Sequence, residues 1–266
     1  MHIFPSTIGI AQFSEVMQER GWLVLQDFVS LDMVQVMNVD LESAYGTCRR
    51  IQVENGISLE TEGTLHHLIG QKESFLEFLN SVESILPHLE HYFGGKFILN
   101  SFGGNILNKG ASYASNIHRD VRTYSGNFPL LLNTLLMLDD FIVENGATLM
   151  MTGSHREWPT RPPEEEFAKR AEPATGTAGS LLVFNSNVWH AAGVNTSDCA
   201  RRSVTPMFCR PFVKPQFDYP RAIGYDRMTK LSEVQRQLLG YYARIPASLQ
   251  EWYQPPESRM YRPGQG

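Results

Sequence analysis

The chain has 266 residues, 42% of them hydrophobic, which is enough for one large domain with a buried core and typical of a water-soluble globular protein. A net charge of -5 and a pI of about 5.9 exclude a general nucleic-acid binder, which needs a basic face to displace counterions from phosphate. Three cysteines, Cys48, Cys199 and Cys209, are odd in number and without paired spacing, which excludes a disulfide framework or a C-x-x-C metal clip and fits a reducing compartment.

The start, Met1-His2-Ile3-Phe4-Pro5, lacks the basic and apolar regions of a signal peptide. Ile10, Phe13, Val16 and Met17 then recur at helical spacing, and Gly21 stands where a C-terminal cap is expected. Trp22 to Phe28 reads as a short strand. Ser30 is placed to cap a second helix carrying Met33, Val36, Met37, Leu41 and Ala44 on one side. A third helix is predicted over Glu73 to Phe93, kinked or restarted at Pro87 and ended by Gly94-Gly95.

From Lys96 to Pro215 the pattern changes to short apolar runs between turn residues: Phe97–Leu99, Leu130–Leu138, Thr148–Met151, Ser180–Phe184 and Ser203–Phe208. Several short strands of this kind predict a β-sandwich or jelly roll rather than alternating β and α units. The longest apolar stretch, Phe128 to Leu138, is broken by Pro129, Asn133 and Thr134 and is too short to span a membrane. A helical segment returns from Leu231 to Tyr242, and the tail from Pro255 reads as irregular. No repeat or linker divides the chain, so residues 1–266 are expected to form a single domain, with helices buttressing a β-core at about 96–215. A cytoplasmic protein is expected. The arginine groups (Arg119 and Arg122; Arg156 and Arg161; Arg201, Arg202 and Arg210) read first as solvated surface.

Chemistry concentrates at Asn116-Ile117-His118-Arg119-Asp120. On an extended segment residues two apart point to the same side, so the imidazole of His118 and the carboxylate of Asp120 can face one point. The best candidate for a third ligand is His190, just after the strand-like run Gly179–Phe184. Two histidines and one carboxylate, with coordination positions left open, make the facial arrangement of non-haem Fe(II) oxygenases. The open positions admit a bidentate cosubstrate and then dioxygen. H-x-D alone is weak in a chain with 8 histidines. His66, His67, His88 and His91 fall on helical or loop stretches and read as surface or satisfied core groups.

Eleven residues beyond His190 stands Arg201, followed by Arg202. A guanidinium grips a carboxylate through two parallel hydrogen bonds, here the distal carboxylate of 2-oxoglutarate. Consecutive residues alternate across a strand, so only one of the two faces the pocket.

The order His118-x-Asp120, Glu144-Asn145-Gly146-Ala147-Thr148-Leu149, Gly153-Ser154-His155, Gly179–Phe184, Trp189-His190, then Asn195-Thr196-Ser197-Asp198 before Arg201 resembles the phytanoyl-CoA dioxygenase-like superfamily of Fe(II)/2-oxoglutarate oxygenases. The resemblance runs from about residue 10 to about 245. It implies a mainly β fold with flanking α-helices, a double-stranded β-helix (jelly roll, cupin-like). It also implies iron held by His118, Asp120 and His190, and 2-oxoglutarate held by Arg201. Some members place a glutamine for the cosubstrate two residues before the first histidine; here that position is Asn116, one methylene shorter. Thr152 stands where proline often precedes Gly-Ser-His, and His155 is not a ligand in that pattern but supports the loop near the site.

The reaction so implied uses Fe(II), 2-oxoglutarate and O2 to oxidise a C–H bond of a small-molecule metabolite or natural-product intermediate, releasing succinate and CO2. Asp120 favours hydroxylation over the halogenation of relatives that lack this carboxylate. Desaturation, epimerisation, ring formation and endoperoxidation stay open. So do a cupin-like metalloenzyme independent of 2-oxoglutarate and a non-catalytic β-core binding protein. A small-molecule substrate is the expected partner, without nucleic acid or membrane, and a homodimer stays open. Trp158, Phe141 and Tyr124 are candidates for the entrance. The proline-rich stretch from Glu157 to Thr177 reads as a lid or a surface connection.

Overall fold

In a computed structural model, which describes residues 2–57, 61–121 and 123–265, the apolar runs of the chain form two sheets. Arg122 lies outside the described residues. Ten strands are found among those described: β1 (Ile3–Pro5), β2 (Trp22–Gln26), β3 (Thr64–Leu65), β4 (Ile98–Leu107), β5 (Leu131–Met137), β6 (Thr148–Met151), β7 (Ala171–Ala174), β8 (Leu181–Asn185), β9 (His190–Ala192) and β10 (Arg201–Cys209). The large sheet has the order β1-β2-β8-β5-β10-β4-β3 and the small one β7-β6-β9. All pairings are antiparallel except β1 with β2.

Side-chain alternation sorts the strands of the large sheet between two cores. Leu23 and Leu25 of β2, Leu132 and Leu136 of β5, and Leu181 and Val183 of β8 face the helices. Their neighbours Trp22, Val24, Leu135, Met137, Leu182 and Phe184 face the small sheet, where Met150 of β6 and Ala174 of β7 meet them. With both faces covered, these strands are apolar at nearly every position, as buried strands must be.

Helices α1 (Ile10–Glu19), α2 (Leu31–Glu54), α3 (Glu73–Ser81) and α4 (Leu86–Phe93) send buried residues into the outer core. Ser30 caps α2, its Oγ accepting from the N–H of Met33. Val34, Met37, Leu41 and Ala44 form the buried stripe of α2, whereas Val36 lies off it and is 52% exposed. The helix predicted over Glu73 to Phe93 is interrupted by a 3-10 turn at Val82–Ile85 and restarts with Pro87 in the first turn of α4, where its missing N–H costs nothing.

Three further differences from the sequence reading bear on the site. β1, β2 and β3 come from outside residues 96–215, so the core recruits strands from the N-terminal part. The Glu157–Thr177 stretch is mostly regular: after α5 (Ser154–Glu157) come α6 (Glu164–Arg170) and β7, which pairs with β6 along its length. Its strand β7 belongs to the small sheet. The helix expected from Leu231 to Tyr242 is only α8 (Glu233–Leu238), flanked by α7 (Tyr219–Ile223) and α9 (Leu249–Trp252). Among the described residues, no helix is long and apolar enough to cross a membrane.

Candidate metal centre

His118 lies directly opposite His190, the first residue of β9, and the two exchange backbone hydrogen bonds of 3.0 and 2.9 Å. The H-x-D segment therefore extends the small sheet by one more extended stretch, and paired residues present their side chains on the same face. The two imidazole centroids are 4.3 Å apart. Arg119, between the two ligands, is locked elsewhere. Its guanidinium lies 5.3 Å from the ring of Tyr124 and 5.2 Å from that of Trp189, and it donates to the carbonyl of Pro159. Alternation then leaves His118 and Asp120 on the inner side.

The Nε2 atoms of His118 and His190 stand 3.7 and 3.5 Å from the carboxylate oxygens of Asp120. One ligating atom from each of the three residues falls within 4.8 Å of the others. Each imidazole is oriented by its own chain: Nδ1 of His118 lies 2.7 Å from the carbonyl of Asn116, and Nδ1 of His190 lies 3.0 Å from that of Val188. A carbonyl only accepts, so each Nδ1 carries the proton and each Nε2 offers its lone pair inward. This is how metal-ligating histidines are held. Burial, with His118 adding to it and Asp120 opposing, pushes His190 down to about 4, which keeps it neutral and able to ligate. Asp120 is held from the opposite sheet, where the Asn133 amide donates to its Oδ2 and Asn133 in turn accepts from the Ser186 hydroxyl. Two imidazoles and one anchored carboxylate are the donor set that suits Fe(II).

The triad opens into a cavity of about 280 Å³ lined on its far side by Arg201, Ser203, Thr205 and Met207 of β10. Arg201 is 2% exposed and lies 4.2 Å above the ring of Phe141. Its guanidinium donates to the carbonyl of Gly146, and no ion pair to it occurs among the described residues. Burial lowers its pKa to about 10, so it stays charged at neutral pH. Arg202 faces the helices, paired with Glu42 and Asp139.

The two motif blocks brace this arrangement. In Glu144-Asn145-Gly146, Asn145 bonds the N–H of Ile142 and the carbonyl of Asp140, and φ of +78° at Gly146 turns its carbonyl toward Arg201. In Gly153-Ser154-His155, the Ser154 hydroxyl accepts from the N–H of Trp189, beside His190. His155 is buried, with Nε2 3.2 Å from the carbonyl of Gln18, and its own carbonyl accepts from the Tyr124 hydroxyl.

Not every candidate reaches the cavity. Asn116 is exposed and does not line it; its backbone carbonyl orients His118 instead. Phe141 is fully buried beneath Arg201, and Trp158 packs with Met151, Phe167 and Trp189, so neither these nor Tyr124 marks the entrance. His88 is buried against Phe13, with Nε2 2.7 Å from the carbonyl of Ile8. His66 lines the metal cavity, because β3 pairs with Gly104 and Asn105 at the sheet edge and carries the next residue across its mouth.

Asn133, Asn105 and Ser203 were missed in the sequence reading. Among the described residues the Asn105 Oδ1 and Ser203 Oγ atoms find no hydrogen-bond partner; both are buried, on residues that face each other across β4 and β10 and line the cavity. Asn133 had a signal: it is a polar residue inside an apolar run, two positions before Leu135 on the inner face.

The family described as phytanoyl-CoA dioxygenase (PhyH) matches residues 17–203, a stretch that holds the triad and Arg201. An uncharacterized protein of Mycobacterium tuberculosis is 34% identical over 210 residues, covering 77% of this chain and 76% of its own. The dioxygenase FrzG of Cladobotryum sp is 22% identical over 273 residues, covering 92% and 89%. Among solved structures, EctD from S. alaskensis with 2-oxoglutarate and 5-hydroxyectoine superposes with a TM-score of 0.63 at 18% identity, over 76% of each chain. That likeness shows the fold, a double-stranded β-helix. The chain belongs to the phytanoyl-CoA dioxygenase (PhyH) family of Fe(II)/2-oxoglutarate-dependent dioxygenases.

Proposed function

We propose that the protein hydroxylates a C–H bond of a small-molecule metabolite or natural-product intermediate. In this reading Fe(II) is held by His118, Asp120 and His190, and the distal carboxylate of 2-oxoglutarate is held by Arg201. The observation that carries it is a buried guanidinium that has no carboxylate partner among the described residues and lies in the same cavity as the triad. An uncompensated buried charge is strongly destabilising, and a dicarboxylate bound at the metal would supply the missing anion.

When bound, Fe(II) supplies the activation of dioxygen, coupled to oxidative decarboxylation of 2-oxoglutarate to succinate and CO2. The rest is the work of the chain. The carbonyls of Asn116 and Val188 fix the tautomers of the two histidines. Asn133 holds the Asp120 carboxylate against rotation, and retention of that carboxylate favours transfer of hydroxyl over halide. Phe141 closes the floor under Arg201, and Leu65, Leu135, Phe184 and Met207 keep bulk water from the reacting carbon.

Anaerobic titration with Fe(II) and 2-oxoglutarate should produce a visible charge-transfer band that neither gives alone. A substrate library scored by succinate release should then yield a product heavier by one oxygen atom. Loss of two hydrogens would replace hydroxylation with desaturation, and iron binding without the band would sink the 2-oxoglutarate dependence.

A further inference from the structure

The metal cavity is small for its task. At about 280 Å³ it lies below the range of about 300–1,000 Å³ usual for small-molecule sites, and 2-oxoglutarate must share it. Its lining includes Gln216, an exposed residue whose backbone N–H is held by the carbonyl of Asn100. Gln216 is also a wall of a second cavity, of about 370 Å³, lined by Pro215, Phe217, Tyr225, Leu239 and Met260.

Adjacent residues touch both linings. His66 faces the metal side, while its neighbour His67 stacks on Phe217 at 4.6 Å. His67 holds a left-handed φ of +57°, uncommon for any residue but glycine, and its Nδ1 lies 3.4 Å from the Tyr219 hydroxyl.

The second cavity shares Ile245, Glu251 and Met260 with a third, of about 630 Å³, walled by Trp252, Tyr253 and Tyr261. Hydrogen bonds from the N–H of Arg244 to the carbonyl of Met260, and from that of Arg262 to the carbonyl of Tyr242, hold the C-terminal segment in place over this trough. Ile245, Trp252 and Tyr253 are 81%, 61% and 77% exposed, a cluster of large apolar side chains left in water beside a cavity. Such clusters mark binding grooves. Charged groups of both signs are mixed along the trough, Lys214, Arg244 and Arg259 with Asp218 and Glu251, and form no single-sign patch.

We infer that the substrate is an elongated, uncharged and largely apolar molecule. The carbon to be oxidised lies beside the triad, and the remaining length crosses Gln216 into the trough beneath the C-terminal segment. This rests on the oxygenase reading and adds to it the class of substrate.

The probe is a series of n-alkanols from hexanol to decanol, titrated calorimetrically into protein loaded anaerobically with Fe(II) and 2-oxoglutarate. Affinity should rise about three- to fourfold with each added methylene, the value for a CH₂ leaving water. Ile245→Glu changes a side chain already in solvent, so folding is not at risk. It should flatten the series for the longer alcohols and leave the visible Fe(II)/2-oxoglutarate band intact. Met260→Glu, at the boundary of the second and third cavities, should do the same. Affinity independent of chain length, or a series unaltered in both variants, overturns the trough, as do alkyl carboxylates that bind more tightly than the alcohols. A missing visible band with the chain-length dependence intact would instead overturn the oxygenase reading and leave the trough standing.

Discussion

Arg201 and Asn133 are both polar groups that the fold buries at the wall of the cavity. Arg201 donates to one carbonyl and covers an aromatic ring, but its Nε has no acceptor among the described residues. Replacing a buried, unpaired charge by an apolar side chain of similar volume is often neutral or stabilising. Arg201→Met is therefore expected to melt no lower than the wild type without cosubstrate, and to lose the rise in Tm that 2-oxoglutarate gives the wild type in the presence of Mn(II). A fall of several degrees in the cosubstrate-free variant would show that the guanidinium is structural. Asn133→Ala removes the donor to Asp120 and leaves Ser186 unpaired. Loss of such an outer partner usually weakens metal binding by about 10- to 100-fold. An Fe(II) titration giving the wild-type affinity would remove Asn133 from the support of the metal.

At the scale of elements, the turn at Gly146 decides where Arg201 finds its acceptor. A Cβ there would meet the carbonyl of Gly193 at 2.5 Å, and φ is +78°, so Gly146→Ala suffers both backbone strain and a clash with main chain. Gly126 also has positive φ, at +58°, but nothing lies within 4 Å of its Cβ position. Gly126→Ala should cost about 1–2 kcal/mol, the left-handed penalty alone, and Gly146→Ala distinctly more. Denaturant unfolding of both variants checks the difference, and equal losses would mean that the β-turn relaxes without strain.

The same elements show what can be read from sequence. Strands of five residues or more that are mostly apolar, as β2, β5 and β8 are, carry their own signal, and so does the helical periodicity of α1 and α2. The convergence of His118 with Asp120 was legible because strand alternation is local. β7 and β9 have four and three residues, β7 contains Pro173, and neither has length enough for a pattern. His66 is exposed, as its sequence context suggests, but its place in the cavity lining was not legible, since β3 has two residues and is an edge pairing. Links such as Asn133 to Asp120 and Arg201 to Gly146 join distant segments, and only folding brings them together.

For the whole molecule, the triad is a junction between layers. His118 and His190 belong to the small sheet and its extension, while Asp120 is tied through Asn133 and Ser186 to β5 and the end of β8 in the large one. A metal bound there favours the native state over the unfolded chain, in which the third ligand, His190, lies seventy residues beyond Asp120. Mn(II), which takes the same nitrogen and oxygen donors, should therefore stabilise the fold by about 2.7 kcal/mol at one hundred times its Kd. For a chain of this size each kcal/mol moves Tm by about 2–4 °C, so a rise of roughly 5–10 °C is expected in a calorimetric scan. EDTA should reverse it. Asp120→Ala should show little of the rise, because two imidazoles from one sheet no longer span the layers. An equal rise in that variant would place the bound metal somewhere other than between the sheets.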